Sequence, residues 1–191
     1  MSLLEWLATL MGIACVALAA LRSIWTFPVG IASVSLLGIV VFETGLYSDA
    51  ALQMFFAIAN LYGWQQWRQV RGALNAAKVV TMTNASRLAW AVSTLFGGIV
   101  LAVAMNRLTD ASYPRWDASI AAVSVTAQLL MARRALESWW LWIAVDLASI
   151  PLYLAKGLQL FAGLYLIYLA LAIAGLVSWR AAFRNERGDA R

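Results

Sequence analysis

The 191-residue sequence has no histidine, one cysteine, three prolines and few charges, with only 12% of its residues Asp, Glu, Lys or Arg. Without histidine there can be no imidazole-ligated zinc and no Ser-His-Asp or Cys-His catalytic pair. A single thiol excludes a disulfide framework, and Cys15, set in an apolar run, reads as a small buried hydrophobe. Neither GxxxxGK[ST] nor GxGxxG occurs, so the chain carries no phosphate-cradling loop and is not itself an ATP-driven pump. What fills the space is apolar: 63% hydrophobic residues, ten tryptophans and a mean hydropathy of +0.78. A soluble domain of this length could not hide so much apolar surface, which leaves lipid as the solvent.

Charged residues punctuate seven apolar stretches near the length needed to cross a bilayer. They run approximately from Leu3 to Leu21, Phe27 to Phe42, Ala50 to Trp67, Leu88 to Met105, Ala118 to Ala132, Trp139 to Ala155 and Leu158 to Trp179. The second, fifth and sixth are short, and would be the first to fail. Met1 to Glu5 holds no Lys or Arg and the run that follows is long, so the first stretch reads as a retained helix and not a cleaved signal peptide. With seven crossings, one side of the membrane carries Arg22, Arg68, Arg71, Lys78, Arg87, Arg133, Arg134, Arg180, Arg184, Arg187 and Arg191. The other carries Arg107, Arg115 and Lys156. Eleven against three predicts a periplasmic N-terminus and a cytoplasmic C-terminus. The net charge of +5 is thus laid out for a membrane surface, and nucleic acid is not an expected partner.

Offset by 112 residues, the segment from Gly45 to Arg68 aligns with that from Gly157 to Arg180 at seven identical positions in 24, against about two expected from the composition. The matches include Gly63/Gly175, Trp67/Trp179 and Arg68/Arg180, and upstream the same offset pairs Arg22 with Arg134. Each unit has three spans, so a second copy fused directly behind the first would be inverted. The intervening span restores its orientation. The expected fold is all-α and integral to the membrane, with two parallel three-helix repeats joined by a linker helix. Residues 1–68 form the first repeat, 69–112 a cytoplasmic loop and linker helix, 113–180 the second repeat and 181–191 a cytoplasmic tail.

Polar groups inside hydrocarbon are costly and mark a pathway. On the third span Gln53, Asn60, Trp64 and Trp67 share one helical face. On the sixth, Trp139, Trp142, Asp146, Ser149 and Tyr153 form another. Gln53 and Asn60 could instead serve as helix-to-helix glue. Trp6, Trp25, Trp90, Trp116 and Trp179 read as interfacial anchors. Asp146 is the sharpest signal, because no Lys or Arg shares its depth. Aromatic planes beside an acid suit a flat, positively charged heterocycle, although an acid bonded to a nearby Ser or Tyr would also satisfy the pattern. The lack of histidine and of clustered carboxylates argues against the rival reading of a membrane enzyme using Glu43, Asp49 and Asp146. A scaffold without transport is the third class.

FPVGI at Phe27, GLYSDAALQ, NLYGWQQWR and ESWWLWIAVDLASIPLYLAKGL at Glu137 together resemble the PnuC-type bacterial vitamin transporter family over nearly the whole chain. The resemblance implies a SWEET-like arrangement of three plus one plus three spans and facilitated diffusion of nicotinamide riboside across the inner membrane by alternating access, with trapping by phosphorylation. Sister groups carry thiamine or riboflavin. The family pattern W-x2-W-x3-[N/D] falls on Trp139, Trp142 and Asp146, and further contacts are implied near Gln53, Asn60 and Trp64. On this reading the three tryptophans clamp the ring while Asp146, Asn60, Gln53 and Ser149 line the site. No catalytic residue, metal or cofactor is expected. The expected partners are the vitamin, membrane lipid and further copies of the chain in a homo-oligomer such as a trimer.

Overall fold

The computed structural model describes residues 3–43, 47–70, 78–108 and 113–188. Among these, seven helices follow one another: α1 (Leu3–Ala20), α2 (Thr26–Glu43), α3 (Tyr47–Val70), α4 (Asn84–Leu108), α5 (Pro114–Ala132), α6 (Glu137–Ala155) and α7 (Gln159–Gly188). Each expected span coincides with one helix. By length and apolar content alone α1, α2, α4, α6 and α7 could cross a membrane. The helices that fall short are α3 and α5, whereas the second and sixth, expected to be marginal, qualify. The reason is position: α3 and α5 pack on each other across the two repeats and carry Asn60, Gln128 and Thr126 there. The chain from 181, expected to be a tail, continues α7 through Gly188 and is held by an ion pair from Arg22 to Glu186 at 3.1 Å.

Within each repeat, packing runs α1 to α2 to α3 and α5 to α6 to α7, and the ring closes through α1 with α7 and α3 with α5. Shifting by one repeat exchanges these two closing contacts, as a two-fold axis along the membrane normal requires. The protein is an all-α membrane fold of two parallel three-helix repeats, and α4 is the linker that puts them in parallel. Among the described residues α4 packs on α5 alone, through a 2.7 Å hydrogen bond between the Thr94 and Thr126 hydroxyls and the approach of Gly98 to Ala122.

The turns leaving the first helix of each repeat repeat atom for atom. Arg22 (φ 56°) and Arg134 (φ 63°) are the non-glycine residues with positive φ among those described. Each donates its N–H to a last-turn carbonyl, Ala19 and Met131 respectively, both at 2.9 Å. A left-handed Arg costs roughly 1–2 kcal/mol, so two at equivalent positions mark a turn that the fold dictates. The α5–α6 turn also pins the strand-like segment leading to α4. Val80 donates to the Arg134 carbonyl at 3.0 Å and accepts from Leu136 at 2.9 Å. Partial burial pulls the Arg134 guanidinium below its ordinary pKa. At the opposite end Gly157 (φ +73°) makes the turn from α6 to α7, a role different from the helix approach expected of it.

Gly63 and Gly175 do allow close approach. A Cβ on Gly63 would collide with the Phe27 ring, and one on Gly175 with Trp139. These pairs are again related by 112 residues. Because the rings lie flat on glycine backbone, Gly63→Ala and Gly175→Ala should each cost about 1–3 kcal/mol by overpacking, read as a lower melting temperature of the detergent-solubilised protein. Parent-like melting at both positions would mean that the rings move aside freely.

Candidate substrate site

The residues near the two-fold axis divide into an aromatic cluster at the arginine-rich end and a polar chamber deeper in the ring. The cluster is built on the carbonyls that end α1 and α5, which lack the usual partner four residues on. Trp179 Nε1 donates to the Ala19 carbonyl at 3.0 Å, and Trp67 Nε1 donates to the Met131 carbonyl at 3.3 Å. Both bonds cross from one repeat to the other. Phe27 meets Trp67 edge to face at 5.0 Å and Trp139 meets Trp179 likewise at 5.6 Å, while Trp67 and Trp179 face each other at 5.9 Å. All four rings are 1% exposed. Trp179, expected to be an interfacial anchor, is therefore a core residue: its N–H reaches a carbonyl of the other repeat instead of the headgroup layer.

Trp139 lies in this cluster, with Trp64 and Trp142 packed against it. The three tryptophans singled out by spacing thus come together. The Trp139 indole N–H is buried without a partner. Trp64 also borders a cavity of about 360 Å³ with Ile24, Trp25, Pro28 and Arg68. Gln53 sits two turns away from Asn60 along α3, against Gly38 of α2.

The chamber holds the buried polar groups. Asn60 Nδ2 donates to the Phe56 carbonyl at 2.8 Å, and its Oδ1 accepts from Gln128 Nε2 at 3.3 Å, joining α3 to α5. Asp146 is 3% exposed and has no ion pair among the described residues, and the buried Ser149 hydroxyl has no hydrogen-bond partner. Tyr165 and Tyr168 of α7 lie within electrostatic reach of Asp146. Tyr165 stacks on Tyr153 at 5.1 Å, and Tyr153 on Phe161 at 5.5 Å, which lines the route toward the Lys156–Asp117 ion pair at the far end. Gln128, Tyr165 and Tyr168 were missed by spacing arguments. Gln128 is a lone amide in its span, and the tyrosines resemble any aromatic in an apolar helix.

The two repeats differ most where these side chains stand. Gly30 is the counterpart of Trp142, and Ala172 that of Asn60. A Cβ on Gly30 would lie 2.9 Å from Asn60 Oδ1, so the glycine makes room for the amide. In the second repeat Ala172 is part of the buried cluster on which Trp142 packs. Large and small have been exchanged across the axis. Asp146 and Ser149 likewise face Val34 and Leu37 as counterparts, and Gln53 faces Tyr165. A symmetric scaffold with an asymmetric lining suits a small, asymmetric ligand carrying positive charge.

The model of the nicotinamide mononucleotide transporter family matches residues 2–181. The chain is 29% identical to the nicotinamide riboside transporter PnuC of Escherichia coli (strain K12), over 99% of this chain and 89% of the relative. It is 32% identical to the riboflavin/roseoflavin transporter RibM of Streptomyces davaonensis, over 98% and 87%. A crystal structure of the vitamin B3 transporter PnuC superposes with a TM-score of 0.78 at 26% identity, covering 95% of this chain and 82% of that one.

Proposed function

Because the chain belongs to the nicotinamide mononucleotide transporter family, we propose that it carries nicotinamide riboside across the inner membrane by alternating access, with the N-terminus outside and the arginine-rich end in the cytoplasm. The observation that carries the substrate is Asp146, a carboxylate buried inside the ring without a cationic partner among the described residues. A pyridinium supplies the missing charge. Asn60, Gln128 and Ser149 offer the amide and hydroxyl groups for the carboxamide and ribose, and Trp139, Trp142 and Trp64 the aromatic planes. Gln53 belongs to the outer approach. The side chains named in the chamber include no Lys or Arg, so the phosphate of the mononucleotide would enter unpaired. This favours the nucleoside.

On this reading residues 1–68 and 113–180 are the two moving units, and the aromatic cluster is the cytoplasmic gate in its closed state. Uptake needs no nucleotide-binding loop, since phosphorylation inside the cell would trap the product. RibM supports a second reading, a flavin carrier, but riboflavin is neutral and leaves Asp146 without its counter-charge. The test is a calorimetric screen of the detergent-solubilised protein against nicotinamide riboside, its mononucleotide, thiamine and riboflavin. Binding is expected for nicotinamide riboside and at least tenfold weaker for the mononucleotide. Preferred binding of thiamine or riboflavin would overturn the substrate, and failure to take up any of the four into proteoliposomes would overturn transport.

A further inference from the structure

On the outside of the ring α4 leans away from α6, and a groove of about 620 Å³ opens between them with α5 as its floor. Its wall on α4 runs from Arg87 to Ala102, about 22 Å at 1.5 Å per residue. The lining is almost wholly apolar along this length, and its mouth is not. There the Arg133 guanidinium lies 5.0 Å over the Trp90 ring and that of Arg180 lies 4.9 Å over Trp140, so each wall of the groove ends in an arginine held flat on a tryptophan. Arg87 completes the mouth, paired with Glu137 at 2.7 Å. Three cations against one carboxylate leave a net charge of two, with Arg133 and Arg180 exposed.

We infer that the α4–α6 groove binds one anionic phospholipid from the leaflet on the arginine-rich side, its acyl chain along α4 and its phosphate at Arg133, Arg180 and Arg87. Size decides between a chain and a helix. A methylene takes about the room of a water molecule, roughly 30 Å³, so a sixteen-carbon chain needs on the order of 500 Å³. A helix segment about 10 Å across and 22 Å long would need on the order of 1,700 Å³. A second copy of this chain would also bring the same cations to this end, which opposes a contact between mouths. Basic pockets between spans are where anionic headgroups bind. The tryptophans hold the guanidinium groups at headgroup depth, each worth roughly a fivefold preference for an anionic lipid.

Native mass spectrometry of the detergent-solubilised protein offered equal phosphatidylglycerol and phosphatidylcholine tests this. The parent is expected to retain phosphatidylglycerol in about 25-fold preference. Arg133→Gln/Arg180→Gln should bring the preference to near parity while leaving Arg87 and its ion pair intact. Ala91→Trp, which fills the groove from an exposed position, should lose bound lipid of both kinds at an unchanged melting temperature. Equal retention of the two lipids by the parent would overturn the inference. So would a preference that survives the double Gln variant, or a change in subunit number in place of lipid loss when Ala91→Trp fills the groove.

Discussion

Asp146→Asn should weaken nicotinamide riboside binding by 10- to 100-fold and, in the same protein, raise the melting temperature of the ligand-free state. The two effects have one cause. A carboxylate at membrane depth costs about 2.5–3.5 kcal/mol against an apolar residue, and the described structure supplies no cation to repay it, because Lys156 is engaged by Asp117 at 2.8 Å. The ligand is the repayment. A hydrogen bond to a charged group contributes about 1.5–3 kcal/mol, which is the 10- to 100-fold range. Asn keeps the shape and part of the hydrogen bonding, so it isolates the charge, and Asp146→Ala should bind more weakly still. Isothermal calorimetry and a thermal melt on the same sample read both signs. Affinity equal to the parent would remove Asp146 from the site, and a lower melting temperature would mean that a partner within the protein already neutralises it.

Most of the fold is legible from charge placement. Seven spans, their sidedness and the duplication follow from Arg22/Arg134 and Arg68/Arg180, because the cost of burying a guanidinium forces the arginines to the ends of helices. The site is legible only in part. Asn60, Asp146 and Ser149 stand out because polar atoms in apolar spans have few harmless explanations. Gln128 is equally polar, but its meaning depends on the α3–α5 contact, which joins residues 68 apart and leaves no local pattern. Trp179 was misread for a different reason. A tryptophan one residue before a basic one fits a headgroup anchor as well as it fits a core, and burial separates the two. The separating signal was present in the repeat: Trp67 and Trp179 are identical across the offset where the lining residues are not, and identity across a two-fold axis belongs to contacts that the axis itself requires.

That distinction leads to the second large effect. If the two indole bonds hold the arginine-rich end closed, Trp67→Phe/Trp179→Phe should open it, since phenylalanine keeps the ring packing and deletes only the donors to Met131 and Ala19. Each bond contributes about 1 kcal/mol, and because they are equivalent across the axis and both lost in the open state, their removal shifts the closed-to-open ratio by about 30-fold. Each single variant should shift it by about fivefold, and by the same amount for either residue. The counterparts Leu21 and Arg133 are exposed on opposite repeats at that end. Spin labels on Leu21→Cys and Arg133→Cys, with Cys15 replaced by Ala, therefore report the opening as a distance. The double Phe variant should populate a longer distance in the absence of ligand, and its affinity for externally added nicotinamide riboside should fall in proportion to the closed population lost. An unchanged distance distribution would mean that ring packing alone, through Phe27, Trp139 and the two glycines beneath them, keeps the end shut.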